Sequence, residues 1–164
     1  MPTTPTAWMP QARWDALVRG EECPLCAEIR STDTANDYGY TVADLQLSRL
    51  RLASNQFVPG YCVLICAKHV VEPYHLTAEE RALFFDDLTQ ATEAIDRVFG
   101  AIKMNIQILG NAVPHLHAHI LPRYYGDPAP SRPIDPGLQT VTLTRDEYEE
   151  RVQRIKAALS PRRC

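Results

Sequence analysis

The sequence predicts an α+β fold, with an antiparallel sheet of about five strands, one long helix and a second helix near the C-terminus. One observation supports this class. Apolar segments of strand length come in runs around one long helical pattern, and they do not alternate regularly with helices. The chain also has 164 residues, of which 45% are hydrophobic, so it can bury the core of one ordinary domain.

The N-terminal part predicts a helix, a cysteine pair and a loop. We expect the first ten residues, rich in Pro and Thr, to be loosely ordered. Apolar residues at helical spacing predict a short helix over residues 11–19, which Gly20 ends. The Cys23-Pro-Leu-Cys26 unit follows on a predicted turn, and the polar segment 31–37 predicts a loop.

Three segments of alternating or continuous apolar residues then predict strands. They span residues 38–43, 45–52 and 61–66. Pro59 and Gly60 mark the turn before the third strand. The longest apolar run, YCVLICA, has strand length and falls far short of the roughly 20 residues that a membrane span needs.

A long helix over residues 78–99 is the strongest pattern in the chain. The capping box Thr77-Ala-Glu-Glu80 opens it, and Gly100 supplies its C-cap. Two more strands are predicted behind it, over residues 104–109 and 115–121.

The C-terminal part begins with a proline-rich stretch over residues 127–137, which predicts an extended loop. This loop could fold over a pocket or onto a partner subunit. A second capping box, Thr144 to Glu147, opens a final helix that extends to about residue 159. The organisation expected is a leading segment over 1–19, a main unit over 20–127, and a tail over 128–164 packed on that unit.

Composition limits the partners. A net charge of −3 and a pI of about 5.9 argue against a nucleic-acid footprint, which needs a basic face. No membrane span and no signal-peptide pattern occur, so we expect a cytoplasmic protein. Five cysteines are an odd number, and a disulfide framework is unexpected in a reducing compartment. Cys62 and Cys66 are expected in the core, and Cys164 on the surface.

Three of the five histidines, His115, His117 and His119, lie within five residues. Alternate side chains of a strand share a face, so these imidazoles would line one face at intervals of roughly 7 Å. The apolar residues between them would pack into the core. The cluster is therefore the leading candidate for chemistry.

The cluster has three interpretations. It could be a solvated strand face, although outward positions of ordinary strands favour Thr, Lys or Glu. It could bind a metal, although side chains standing side by side on one strand converge poorly on one ion. It could perform phosphate chemistry, since neutral imidazole is a nucleophile and a protonated neighbour can neutralise charge and protonate a leaving group.

The surroundings favour phosphate chemistry. The tight loop 110–114 could present backbone N–H groups and an amide to phosphate oxygens, and Arg123 follows closely. No P-loop and no dinucleotide fingerprint occurs, and we expect no organic cofactor.

The run His-Leu-His-Ala-His-Ile-Leu, over residues 115–121, resembles the signature of the histidine triad (HIT) superfamily of nucleotide hydrolases and transferases. The resemblance extends over residues 110–124 and over residues 58–69. In all it covers most of the chain from Cys23 to about Asp127. It implies a HIT-like fold and a homodimer joined through a continuous sheet.

The resemblance also implies roles. His117 would attack the α-phosphate of a purine nucleotide and form a nucleotidyl-histidine intermediate, which water would hydrolyse. His119 would contact the phosphate and bridge toward the leaving group. Gln107 and Asn111 stand where the family often has amides touching phosphate or ribose. Some members carry a histidine directly after the Pro-Gly of the third strand, where this chain has Tyr61, so that contact is absent or replaced.

The cysteine pair has the spacing for two thiolates on one zinc ion. A redox pair would need a thioredoxin-like setting, which is missing, and a chance pair is the other alternative. Similarity to bacterial HIT proteins implies that Cys23, Cys26, His69 and His115 bind a structural zinc. His75 is a further candidate ligand, although we expect it to be a surface residue.

The usual substrates of the family, diadenosine polyphosphates and adenosine phosphoramidates, imply a hydrolase. Transferases of the superfamily often replace the third histidine with glutamine, and this chain keeps His119, which favours hydrolysis. The alternatives are a nucleotide-binding regulatory module with little turnover, a nucleotidyltransferase, and a hydrolase with zinc at the triad.

Overall fold

The computed structural model describes residues 8–159. Six strands occur in this range: β1 (Ala35–Asn36), β2 (Gly39–Asp44), β3 (Ser48–Ala53), β4 (Cys62–Cys66), β5 (Lys103–Gln107) and β6 (His117–Arg123). They form one open antiparallel sheet in the order β1-β2-β3-β4-β6-β5. The predicted α+β class is confirmed.

Four helices accompany the sheet: α1 (Gln11–Val18), α2 (Pro24–Arg30), α3 (Ala78–Phe99) and α4 (Arg145–Ala158). Both predicted capping boxes are present at α3 and α4. Gly100 ends α3 with a φ of 62°, in the left-handed region that favours glycine. A short 3₁₀ turn, Pro73–His75, precedes α3.

One face of the sheet carries the main core. Leu50, Leu64 and Ala118 belong to β3, β4 and β6, and all are fully buried. Helix α3 packs on this face through Phe84 and Ile95. Helix α4 adds its apolar side to the same core, with Tyr148, Val152 and Ile155. The C-terminal helix therefore shares the hydrophobic core of the sheet.

The opposite face carries the polar side chains. Arg51 of β3 pairs with Val63 of β4, and Val63 pairs with His119 of β6. Directly paired residues of an antiparallel sheet present their side chains on the same face. Because side chains alternate along each strand, the core and the histidines lie on opposite faces of the same three strands.

Two predictions near the N-terminus are wrong. The cysteine pair is not on a turn: Pro24 begins α2, and Cys23 precedes it in an extended conformation. Proline suits the first helical position because its missing N–H has no partner there. The predicted loop over 31–37 contains β1. This strand pairs with β2 and brings the sheet to six strands.

The strand of the histidine cluster also begins later than predicted. Strand β6 starts at His117 and extends to Arg123, so His115 precedes the strand. His115 is fully buried, whereas His117 and His119 are partly exposed. The expectation that all three imidazoles lie on one face of a single strand is therefore wrong for His115. The remaining elements agree with prediction within three residues, and the largest difference is at β3, which begins at Ser48 where residue 45 was expected.

The proline-rich stretch has no helix or strand between β6 and α4. Ile134 is buried with Tyr61 and Leu121 on the histidine side of the sheet. Arg123 holds the start of the stretch through Asp127, at 2.7 Å. The stretch therefore packs along this face of its own chain.

Other predictions concern single residues. Cys62 and Cys66 are fully buried, as expected. Cys164 and most of the first ten residues lie outside the described range. Within residues 8–159, no helix combines the length and the apolar character needed to cross a membrane.

Candidate functional site

A cavity of about 380 Å³ lies on the histidine face of the sheet. His117 and His119 line it, together with Val63 of β4 and Tyr61, which directly precedes β4. Helix α2 closes one side with Leu25 and Glu28, and much of the lining is apolar. The cavity thus places two imidazoles in a partly enclosed, mostly apolar space.

His117 is held in one tautomer by the backbone. Its Nδ1 lies 2.6 Å from the carbonyl oxygen of His115, which can only accept a hydrogen bond. Nδ1 therefore carries the proton of the neutral ring, and Nε2 keeps its lone pair. A lone pair fixed in direction is what a nucleophile requires.

His119 lies beside His117, with ring centroids 5.0 Å apart and the rings nearly perpendicular. Its Nδ1 contacts the hydroxyl of Tyr61 at 2.7 Å. Burial, and then the charge of His117, lower the pKa of His119 to about 4. Burial also lowers the pKa of His117. Both rings are therefore neutral at pH 7.

The second cluster contains all four predicted metal ligands. Cys23, Cys26, His69 and His115 bring their donor atoms within 4.8 Å of one another. Nδ1 of His115 lies 3.4 Å from Sγ of Cys23 and 3.2 Å from Nδ1 of His69. A tetrahedral zinc with bonds of about 2.0–2.3 Å separates its ligand atoms by comparable distances. The group therefore fits a divalent metal.

The outer nitrogens of the two imidazoles support that fit. Nε2 of His115 lies 2.8 Å from the carbonyl oxygen of Cys66, and Nε2 of His69 lies 3.0 Å from that of Val18. Each Nε2 must donate, so each Nδ1 turns its lone pair toward the cluster, as metal-binding histidines do.

Burial has opposite consequences for metal binding at the histidine and at the cysteine of the cluster. Burial lowers the pKa of His115 to about 4, which keeps the imidazole neutral, as a ligand must be. Burial, and then the neighbouring Cys23, raise the pKa of Cys26 to about 11. A bound cation would counteract both causes of the raised Cys26 pKa, because it favours the thiolate.

A buried polar network beside the cavity was missed at the sequence level. Arg51 forms an ion pair with Glu28, and it donates to Asn36 at 2.9 Å and to the carbonyl oxygen of Gly39 at 2.5 Å. The alternation Ser-Arg-Leu-Arg-Leu along β3 was the available signal, because it puts the arginines on the face opposite the core.

The two predicted phosphate-binding amides are placed differently from the histidines. Gln107 ends β5 and pairs with His119, yet it does not line the histidine cavity. Asn111 is exposed in the loop between β5 and β6. Their contact with phosphate stays a prediction. His75 is also exposed, and its Nδ1 accepts from the backbone of Glu72, so it stands outside the metal group.

An open antiparallel sheet that carries paired imidazoles over a cavity, with a Cys₂His₂ group beside them, defines a HIT-like α+β protein. Residues 36–126 match the family model of the HIT domain. That match covers more than half of the 164 residues, so the chain belongs to the HIT family.

Part of the chain is also similar to a characterised enzyme. A bis(5'-nucleosyl)-tetraphosphatase (asymmetrical) from Schizosaccharomyces pombe is 33% identical over 75 residues. That alignment covers 43% of this chain and 41% of the relative, so the chain spans less than half the length of that enzyme.

Solved structures extend the match to most of the chain. A HIT protein from Sinorhizobium meliloti is 26% identical, with a TM-score of 0.69, over 78% of this chain and 98% of that one. A Zn-bound HIT family protein from Mycobacterium smegmatis is 22% identical, with a TM-score of 0.60. That second match covers 84% of this chain and 93% of that one, and it shows the shared fold.

Proposed function

We propose that the protein is a nucleotide hydrolase. It cleaves a phosphoanhydride or phosphoramidate bond at the α-phosphate through a nucleotidyl-histidine intermediate and releases a nucleoside monophosphate. The observation that carries the proposal is the tautomer of His117, whose Nδ1 donates to a backbone carbonyl and leaves Nε2 free in the cavity. The tetraphosphatase relative supports a hydrolase.

The first step transfers the nucleotidyl group to His117. The lone pair of Nε2 forms a bond to the α-phosphorus, and the bond from phosphorus to the leaving group breaks with its electron pair on the leaving group. A phosphate leaves as its anion, whereas the nitrogen of a phosphoramidate also takes up a proton from water as it leaves. The carbonyl oxygen of His115 stabilises the positive charge that the ring acquires, because it accepts from Nδ1 at 2.6 Å.

The second step is hydrolysis. A water oxygen bonds to phosphorus, the N–P bond breaks with its electron pair returning to Nε2, and one water proton passes to solvent. His119 stands next to the reacting nitrogen, with its ring centroid 5.0 Å from that of His117, and can donate to a phosphate oxygen in both steps.

A purine base has room along the apolar wall of the cavity. Val63 lies between Arg51 and His119 in the sheet, and neighbouring strands are about 4.8 Å apart, so Arg51 and His119 stand on strands about 10 Å apart. Leu25 of α2 faces the same space. A nucleoside whose phosphate is at His117 would thus lie across β4 toward α2.

We propose a structural zinc for the Cys₂His₂ group. Cys23, Cys26, His69 and His115 would hold it, and a closed set of four protein ligands leaves no position for a reactive water. The metal would supply rigidity: it would join the start of α2 to His115, whose carbonyl orients His117.

A homodimer formed at β5 is part of this proposal. Strand β5 is an edge strand, and Ile106 is 45% exposed on it. Ile102 and Leu109, on either side of the strand, are also exposed. An unpaired edge with apolar side chains invites pairing with a second copy. Cytoplasmic location stays a prediction.

The proposal is tested by capturing the intermediate. Wild-type protein is mixed with a dinucleoside polyphosphate labelled in its adenylyl group, quenched in acid-free denaturant, and analysed by mass spectrometry. We expect adenylylation at His117, and loss of both adduct and turnover in His117→Asn. His75→Asn, which alters an exposed histidine outside the cavity, should retain both.

Undiminished turnover by His117→Asn would refute the nucleophilic role. Tight binding of adenosine monophosphate by wild type, with no turnover on a broad panel of nucleotides, would instead indicate a regulatory binding module. Transfer of the adenylyl group to added sugar phosphate, in place of water, would indicate a nucleotidyltransferase.

A further inference from the structure

Tyr61 contacts the catalytic pair from the turn before β4. Its side chain is 9% exposed, and its hydroxyl lies 2.7 Å from Nδ1 of His119. The two rings stack at a centroid distance of 5.9 Å. Tyr61 therefore fixes the position of the His119 ring, and it leaves Nε2 as the ring nitrogen that faces away from the hydroxyl.

The direction of this hydrogen bond follows from the partners. Burial raises the pKa of Tyr61 to about 12, so the phenol keeps its proton. Within the described residues, Nδ1 of His119 is the acceptor available to that proton. Tyr61 therefore donates, Nδ1 accepts, and the proton of the neutral His119 ring lies on Nε2.

The two neighbouring rings thus hold opposite tautomers. His117 keeps its proton on Nδ1 and presents a lone pair, because a carbonyl accepts from it. His119 keeps its proton on Nε2 and presents a donor, because a hydroxyl donates to it. The first ring can attack phosphorus, and the second can only donate a hydrogen bond.

We propose that Tyr61 is a positioning residue that keeps His119 a neutral hydrogen-bond donor and so commits the site to phosphoanhydride substrates over phosphoramidates. This inference rests on the proposed hydrolase function. It selects between the two bond types that the function leaves open, and it does so by the leaving group.

The chemistry of the leaving groups explains the selection. When a phosphoanhydride is cleaved, the bridging oxygen keeps the electron pair and departs as a phosphate anion, which needs no proton. Nε2–H of His119 stabilises that anion by donating a hydrogen bond. No proton changes place, so the Tyr61–His119 bond stays intact through the step.

A phosphoramidate makes a different demand. When its P–N bond breaks, the departing nitrogen must receive a proton to leave as an amine. His119 could supply that proton only as an imidazolium, with hydrogens on both nitrogens. A hydrogen on Nδ1 would make the Tyr61 hydroxyl the acceptor and leave the phenol proton without an acceptor among the described residues, so the contact with Tyr61 opposes the acid form.

The first test measures the tautomer without substrate. Protein labelled with nitrogen-15 in histidine is examined by NMR in its metal-loaded form. We expect Nε2 of His119 to carry the proton in wild type, and Tyr61→Phe to lose that preference. A proton on Nδ1 of His119 in wild type would overturn the proposal, whether or not the variant folds.

The second test compares substrates. We expect wild type to have a higher kcat/KM for a dinucleoside polyphosphate than for an adenosine phosphoramidate. Loss of one positioning hydrogen bond in Tyr61→Phe should lower kcat for the polyphosphate about tenfold. KM should stay near wild type, and the ratio of the two kcat/KM values should fall. An unchanged ratio in a folded variant would overturn the proposal.

Tyr124→Phe is the matched control. The hydroxyl of Tyr124 donates to the carbonyl oxygen of Pro59 at 2.7 Å, two residues before Tyr61. Its removal deletes an equivalent hydrogen bond at the same turn without touching His119, and both kcat values should stay near wild type. Absence of turnover and of adduct in wild type would refute the hydrolase itself, whereas the NMR result would still decide the tautomer.

Discussion

Glu28 of α2 and Arg51 of β3 form an ion pair beside the histidine-lined cavity, and their side chains are 10% and 4% exposed. The pair joins the helix that begins at the metal cluster to the sheet that carries the histidines. Asn36 of β1 contacts both members, at 2.7 Å from Glu28 and 2.9 Å from Arg51. A single polar network therefore fixes α2 as the wall of the cavity.

Removing one member of this pair should be costly, since it leaves a buried charge without a partner. We expect Glu28→Ala to lower the free energy of unfolding by about 3 kcal/mol, measured by urea denaturation. Glu22→Ala breaks an exposed ion pair with Arg13 and is the matched control, with an expected loss of less than about 1 kcal/mol. Equal losses in the two variants would contradict the structural role of Glu28.

Metal removal should loosen α2, because Cys23 and Cys26 lie at its start. We expect Cys26→Ala to contain less zinc by elemental analysis and to melt at a lower temperature. A chelator should lower the melting temperature of wild type in the same way. His75→Ala should keep its zinc, since His75 is outside the cluster. Full zinc content in Cys26→Ala would contradict the ligand assignment.

Acid should destabilise the protein through His119. The folded pKa is about 4, below the value of 6.5 for a free imidazole, so the unfolded chain binds more protons between these limits. The stabilisation is complete above pH 6.5 and is lost as the pH falls toward 4. Allowing for partial exposure to solvent, it amounts to about 2 kcal/mol.

His119→Asn should therefore flatten the decline of unfolding free energy between pH 6.5 and 4. Urea denaturation at several pH values, with zinc present throughout, measures the slope. His75→Asn changes an exposed imidazole and should keep the wild-type slope. An identical slope in His119→Asn would show that His119 is not held neutral by the fold.

The edge strand gives a prediction about assembly. Ile106→Lys places a charge on β5 and should convert a dimer to a monomer, measured by light scattering during size-exclusion chromatography. Leu83→Lys, on the exposed side of α3, is the control and should remain dimeric. A monomeric wild type would contradict the proposed dimer.

The sequence predicted local structure better than it predicted the contacts between distant segments. The long helix was predictable because Thr77, Glu80 and Gly100 supply both caps within the helix sequence itself. Strand β1 was not, since Ala35 and Asn36 are ordered through pairing with β2 and carry no apolar pattern. Helix α2 was not predicted, because its first residue is a proline, which suits a turn as well as a first helical position.

The candidate site shows the same limit. Spacing alone drew attention to the histidines, and family resemblance supplied the four candidate metal ligands that the fold brings together. Tyr61 was noted only as a departure from the family pattern. Its contact with His119 joins residues 58 positions apart, through the pairing of β4 with β6. No periodicity within one segment reveals such a contact.

Leu116 alone separates His115 from His117, and the carbonyl oxygen of His115 accepts a hydrogen bond from Nδ1 of His117. The candidate metal ligand His115 and the candidate nucleophile His117 are thus joined by a short piece of backbone. We therefore expect a displacement of His115 to change the orientation of the His117 ring. On the proposed function, the orientation of His117 would then depend on the N-terminal segment, which contacts His115 through Cys23 and Cys26 from more than 85 residues away.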